Sequence, residues 1–160
     1  MTQTPLHIVL YQPEIPANTG TIIRLCFLNK LRLHLIEPLG LSLNDAALRR
    51  AGIDYWEKFQ ADVEVHPDWE AFLARYPEAE THTLFFTAHT QRAFWDAAYP
   101  DPAWLVFGRE TAGLPAHFHH QYFSRLVTIP KRSDEGRSLN LSSAVAVAAY
   151  EGLRRMHVRE

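Results

Sequence analysis

Cys26 is the one cysteine among 160 residues, so an internal disulfide is excluded. Within the apolar run IIRLCFL a lone thiol reads as a buried structural side chain of a reducing compartment. No apolar stretch approaches the roughly 20 residues of a membrane-spanning helix. The opening MTQTPLHIVLYQPEIP lacks the basic segment that precedes the apolar core of a signal peptide, and a cytoplasmic chain is expected. An excess of basic charge is also missing: 16 Lys and Arg stand against 18 Asp and Glu, for a net charge of −2. Overall charge therefore does not mark a nucleic-acid binder, and any basic surface rests on local groups such as Arg49-Arg50, Lys131-Arg132 with Arg137, and Arg154-Arg155. Neither a GxxxxGK[ST] loop, nor a GxGxxG turn after a strand, nor a GxSxG elbow occurs. The nine histidines include His117, His119 and His120, but no carboxylate or thiol joins these at a metal-ligand spacing. They read as residues of an exposed helix or loop, and no metal is expected. With no repeat, low-complexity segment or linker, residues 1–160 are expected to form a single domain with a substantial core.

What is present is an alternation of short apolar runs with helical patterns. Residues 7–11 (HIVLY), 33–37 (LHLIE), 83–87 (TLFFT), 104–108 (WLVFG) and 126–130 (LVTIP) read as buried strands, with 61–65 a weaker candidate. Helices are expected over 19–29, 44–51, 68–76, 116–123 and 140–157. This order predicts an α/β fold with a mostly parallel sheet and flanking helices.

In such sheets ligands bind at the loops leaving the carboxyl ends of strands. Three of those loops are rich in Gly, Pro, Glu, Arg, Ser and Asn: residues 12–20, 108–115 and 130–138. Glycine and proline there shape the backbone so that main-chain amides and carbonyls can face a ligand. Asn18 is placed to cap a helix starting at Thr19, and Arg24, wedged among apolar neighbours, must point to a partner or to the edge of a cleft. In the last helix Leu141, Ala144, Val145, Ala148 and Leu153 form one apolar stripe, while Val147 and Tyr150 fall off it. Either this helix is central to its own fold or a second subunit covers the remaining face.

These loops carry a resemblance to the SPOUT class of RNA methyltransferases. Pro13-Glu14-Ile15-Pro16 with Asn18-Thr19-Gly20 and Arg24 resembles its first motif. Leu105-Val106-Phe107-Gly108 with Glu110 and Gly113-Leu114-Pro115 resembles the second. Ile129-Pro130, Arg137-Ser138-Leu139-Asn140-Leu141-Ser142, Ala144-Val145 and Tyr150-Glu151 resemble the third. The opening pattern IVLYxPEIPxNTGxIIRL, the IEPLG segment at Ile36–Gly40, and Arg49-Arg50-Ala51-Gly52-Ile53-Asp54-Tyr55 are similar to the compact branch that methylates the ribose 2′-oxygen at the tRNA wobble position. The resemblance spans nearly the whole chain and is weakest over 61–99. The charged segment from Pro130 to Arg137, with Lys131, Arg132 and Glu135, is about one residue longer than the family pattern.

The resemblance implies a C-terminal trefoil knot that holds S-adenosyl-L-methionine, with Phe86, Gly108, Ile129 and Ser138 lining the cofactor site. It implies Arg24, Glu110 and Asn140 as the catalytic set. Arg24 then either takes the ribose proton or, since a guanidinium is a reluctant base, clamps an RNA phosphate. The implied partners are a tRNA anticodon stem-loop, leucine tRNAs included, and a second subunit docked through the C-terminal helix, with no separate RNA-binding extension and no membrane. The alternatives are a 2′-O-methyltransferase for another tRNA or rRNA position and a non-catalytic RNA-binding α/β protein; the second would not need Arg24, Glu110 and Asn140 together. A doubly wound hydrolase is a third, and against it the sequence offers no nucleophile–base pair and no metal set.

Overall fold

A computed structural model describes residues 5–52, 55–135 and 138–159. Ile53 and Asp54 of the segment similar to the compact branch, and Arg137 of the third motif, lie outside the described residues. Six parallel strands form one sheet in the order β3-β2-β1-β5-β4-β6: β1 (Leu6–Tyr11), β2 (Arg32–Ile36), β3 (Val63–His66), β4 (Thr83–Phe86), β5 (Ala103–Phe107) and β6 (Leu126–Val127). The helices are α1 (Pro16–Asn29), α2 (Ala46–Gly52), α3 (Tyr55–Phe59), α4 (Trp69–Arg75), α5 (Ala79–His82), α6 (Ala116–Gln121) and α7 (Leu141–Arg159). The α/β class and parallel sheet expected from the sequence are both found. Short α3 and α5 carry too few residues for a periodic signal and were not anticipated.

Strand continuity comes from side chains buried on both faces, as parallel sheets require. On one face Ile8, Leu10, Leu33, Leu35 and Leu105 meet Ile22, Ile23 and Cys26 of α1 and Val145, Ala148 and Ala149 of α7. On the other, Val9, Ile36, Phe85, Trp104 and Val106 meet Trp69 and Phe72 of α4 and Phe118 of α6. Cys26 is fully buried, and burial pushes its thiol well above the ordinary range, which suits a packing role and not a nucleophile. No helix of the described residues is long and apolar enough to cross a membrane.

The helix boundary that differs most from the sequence expectation is the start of α1, and the difference reaches the site. α1 begins at Pro16 rather than Thr19, with Ile15 at the N-cap position and no side-chain cap of its own. Proline suits the first turn because its missing N–H would be unpaired there anyway. Asn18 is therefore inside the helix and does not cap it; its amide is turned to a different task. Similarly, 126–130 continues as strand only through Val127, after which the chain turns into the third polar loop.

Candidate active site

The loop after β5 is closed on itself by reciprocal backbone bonds, Arg109 N to the Gly113 carbonyl at 3.1 Å and Gly113 N to the Arg109 carbonyl at 2.9 Å. Two glycines make this possible for different reasons. Gly113 has φ +68°, the left-handed region. Gly108 lies so close to the returning strand of the loop that a Cβ there would sit 2.2 Å from the Gly113 carbonyl carbon and 2.3 Å from the Leu114 nitrogen.

This loop fastens the loop after β1. The Glu110 carboxylate accepts from Glu14 N at 2.9 Å, Ile15 N at 2.7 Å and Asn18 Nδ2 at 3.3 Å. Glu110 thus supplies, from more than 90 residues away, the cap that α1 lacks locally, with a negative charge at the positive end of the helix. The exchange is reciprocal, because Glu14 accepts from Thr111 N at 3.1 Å and from Thr111 Oγ1 at 2.8 Å. Those two bonds hold the Glu14 carboxyl below its usual range.

The C-terminal segment joins the same network. Asn140 Nδ2 donates to Asn18 Oδ1 at 3.1 Å, while Asn140 Oδ1 accepts from Ser142 N at 2.9 Å and Ser142 Oγ at 2.6 Å at the start of α7. Asn18, buried at the hub, gives its N–H to Glu110 and its oxygen to Asn140. One side chain from each of the three motif loops therefore meets in a continuous chain Glu110–Asn18–Asn140.

Beside this chain lies an open cavity of about 690 Å³, within the size range of small-molecule sites. Phe86, Gly108, Ile129 and Ser138, expected to line a cofactor site, all border it, as do Glu110 and Asn140. Leu114 and Leu141, both within the motif segments, add apolar surface, and Thr87 adds a hydroxyl that the resemblance did not place at the cofactor site. Phe86 and Phe107 stack at 4.6 Å between ring centroids beneath it. Arg109 also borders the cavity, and its buried Nε has no hydrogen-bond partner among the described residues.

Arg24 is placed elsewhere. It does not border the cavity but lies on the exposed stripe of α1 with Ala17, Thr21 and Leu28. That stripe runs beside the exposed Val147 and Tyr150 of α7, to which it is tied by Asn29 Nδ2 donating to Tyr150 Oη at 3.3 Å. Lys131 and Arg132 of the long charged loop are exposed, with Lys131 at the cavity rim. His117 and His120 are exposed on α6, while His119 is half-buried against Thr87 Oγ1 at 2.9 Å.

Residues 5–150 match the SpoU rRNA Methylase family. The chain is 46% identical over 149 residues to the tRNA (cytidine(34)-2'-O)-methyltransferase of Burkholderia cenocepacia, across 92% of this chain and 94% of that one. A solved structure described as giving insight into "the 2-OH methylation of C/U34 on tRNA" superposes with a TM-score of 0.81 at 38% identity, covering 96% of this chain and 97% of its own. The SpoU methyltransferase AviRb of Streptomyces viridochromogenes, solved with AdoMet, shares the fold at a TM-score of 0.79 and 20% identity, over 98% of this chain and 60% of its own. The chain belongs to the SpoU rRNA methylase family.

Proposed function

We propose that this chain is an S-adenosyl-L-methionine-dependent tRNA 2′-O-ribose methyltransferase acting at the wobble nucleotide of the anticodon, leucine tRNAs among its substrates. The observation that carries the reading is the convergence of Glu110, Ser138 and Asn140 with Phe86, Gly108 and Ile129 on one cavity, in a chain that aligns nearly end to end with relatives so named. The cavity suits this cofactor: its volume is adequate, aromatic and aliphatic surface can take an adenine, and Thr87, Ser138 and Asn140 offer polar groups to the rest. In this reading the segments bordering the cavity are drawn together in a C-terminal trefoil knot, and the single domain works in the cytoplasm.

When bound, the cofactor supplies an electrophilic methyl group on a sulfonium. The chain's own work is to hold the ribose 2′-oxygen in line with that methyl and to provide a path for its proton. Phe86, Gly108, Ile129 and Ser138 hold the cofactor. Glu110 and Asn140, coupled through Asn18, fix the loops on either side of the reacting atoms. Arg24 grips the RNA phosphate next to the target ribose through its planar fork of donors.

Arg24 stands away from the cavity of its own chain, and this favours a homodimer. A second copy docked on the exposed stripe of α1 and α7 would cover Leu28, Val147 and Tyr150 and bring Arg24 into the edge of a composite site. Replacing Tyr150 with glutamate is expected to convert the dimer to a monomer in sedimentation analysis and to abolish methylation. A Tyr150→Glu protein that remains dimeric would remove α7 from the interface.

Incubation with methyl-labelled cofactor and total tRNA, followed by mapping of the ribose-methylated nucleotide, tests the function. Label at the wobble position is expected; absence of labelled tRNA would refute the activity, and label elsewhere would refute only the position. Arg24→Ala is expected to keep cofactor affinity within about twofold and to lose methylation by at least 100-fold, roughly the 3 kcal/mol of a charge-assisted contact to phosphate. Loss of cofactor binding in that variant would place Arg24 in a different role.

A further inference from the structure

Three histidines and a glutamate meet on the sheet face packed by α4, outside the cavity described above. His7 lies on β1, His34 on β2, and Glu64 and His66 on β3, the strand at one edge of the sheet. His34 is fully buried, and His7 and His66 are nearly so. Imidazoles at this depth need partners, and each is hydrogen-bonded to the next: His7 Nδ1 to His34 Nε2 at 3.0 Å, and His34 Nδ1 to His66 Nε2 at 3.1 Å.

Glu64 divides its carboxylate. Oε1 is taken by the Arg32 guanidinium and the Tyr76 hydroxyl. Oε2 accepts no hydrogen bond among the described residues and faces the two imidazoles, 4.0 Å from His34 Nδ1 and 3.8 Å from His66 Nε2. Those separations and the 3.1 Å between the two nitrogens define a triangle whose centre is about 2.1 Å from every corner, the length of a zinc–nitrogen or zinc–carboxylate bond. A bare ladder of hydrogen-bonded imidazoles accounts for the two short nitrogen contacts but gives Oε2 nothing to do.

We propose that His34, Glu64 and His66 form a binding site for a divalent cation of the zinc type. Two imidazoles and one carboxylate suit such a borderline cation better than magnesium or calcium, which favour all-oxygen sets. The outer contacts are of the kind metal ligands use. His34 binds through Nδ1 while its Nε2–H donates to His7 Nδ1, and Arg32 with Tyr76 orients the carboxylate. Water supplies the fourth ligand from the side of β3, where Glu64 reaches solvent. The ion pins the four-residue edge strand β3 to β2, a structural task separate from methyl transfer.

Calorimetric titration of the metal-stripped, tag-free protein with Zn²⁺ tests the site, with Co²⁺ as a spectroscopic substitute. One saturable equivalent is expected, together with visible bands of a four-coordinate Co²⁺ and a rise in melting temperature of about 5 °C at 100-fold excess over the dissociation constant. Glu64→Gln and His66→Gln are each expected to weaken binding at least tenfold, while the double variant His117→Ala/His120→Ala binds as the parent does. Absence of saturable binding, binding undiminished in both Glu64→Gln and His66→Gln, or loss only in the His117/His120 variant would overturn the proposal. Should the β3 variants fail to fold, the ring ¹⁵N shifts of His34 and His66 in the parent protein decide it. Movement of both on Zn²⁺ addition supports the site, and invariance of either overturns it.

Discussion

Replacing Gly108 with alanine is expected to destabilise the chain by about 3 kcal/mol and to reduce methylation at least about 100-fold. The new Cβ would lie 2.2 Å from the Gly113 carbonyl carbon and 2.3 Å from the Leu114 nitrogen. Both are backbone atoms, so no rotamer change relieves the overlap, and the turn that borders the cavity must open. Opening it breaks the reciprocal Arg109–Gly113 bonds and displaces Glu110 from the start of α1. Gly113→Ala provides the comparison. That position has φ +68° but no atom within 4 Å of an added Cβ, so only backbone strain of about 1 kcal/mol is expected, with cofactor binding retained. Urea unfolding and a cofactor-binding titration on the two variants check the contrast. Equal effects at the two glycines would mean that conformation, and not close approach, governs this loop.

The same distinction explains how much of the fold could be read in advance. Strands β1, β2, β4 and β5 are marked by short, mainly apolar runs broken only by single residues such as His7 and His34, because burial on both faces favours apolar side chains at successive positions. Their ends came out within a residue, for example Arg32–Ile36 against an expected 33–37. The start of α1 was misplaced because its cap is not local. Asn18 has the composition of an N-cap, and only the contact with Glu110, distant in sequence, shows that the helix already encloses it. Short α3 and α5 gave no periodic signal at all.

For the site, the identities of Phe86, Gly108, Glu110, Ile129, Ser138 and Asn140 were legible through motif resemblance, and all six border one cavity. What sequence could not supply was connectivity: that Asn18 links Glu110 to Asn140, and that Arg24 does not border the cavity of its own chain. The cluster on the other face was hidden for a related reason. His7, His34 and His66 sit singly in three runs, successive members 27 and 32 positions apart, and only the strand register makes them neighbours. The clustering of His117, His119 and His120 is visible in the sequence instead, and among the described residues they form no metal-ligand group.

Glu110→Gln is expected to cost about 2–3 kcal/mol of stability and to abolish methylation, although the substitution is nearly isosteric. The carboxylate accepts from three donors at once, Glu14 N on Oε1 and both Ile15 N and Asn18 Nδ2 on Oε2. An amide offers one acceptor oxygen, and its NH₂ group would have to face a backbone N–H that is itself a donor. Rotation of the Asn18 amide cannot compensate, because its oxygen is already engaged by Asn140 Nδ2. The loss also includes the negative charge at the start of α1. A double-mutant cycle with Asn18→Ala tests whether the three loops act as a unit. Coupling of about 1 kcal/mol or more is expected between positions 18 and 110, read from urea unfolding of the four proteins. Additive effects would show that Glu110 holds α1 only through backbone amides, leaving the arm through Asn18 to Asn140 without energetic weight. Methylation should follow the same coupling, since Asn140 caps the start of α7 at the rim where Ser138 and Leu141 border the cavity.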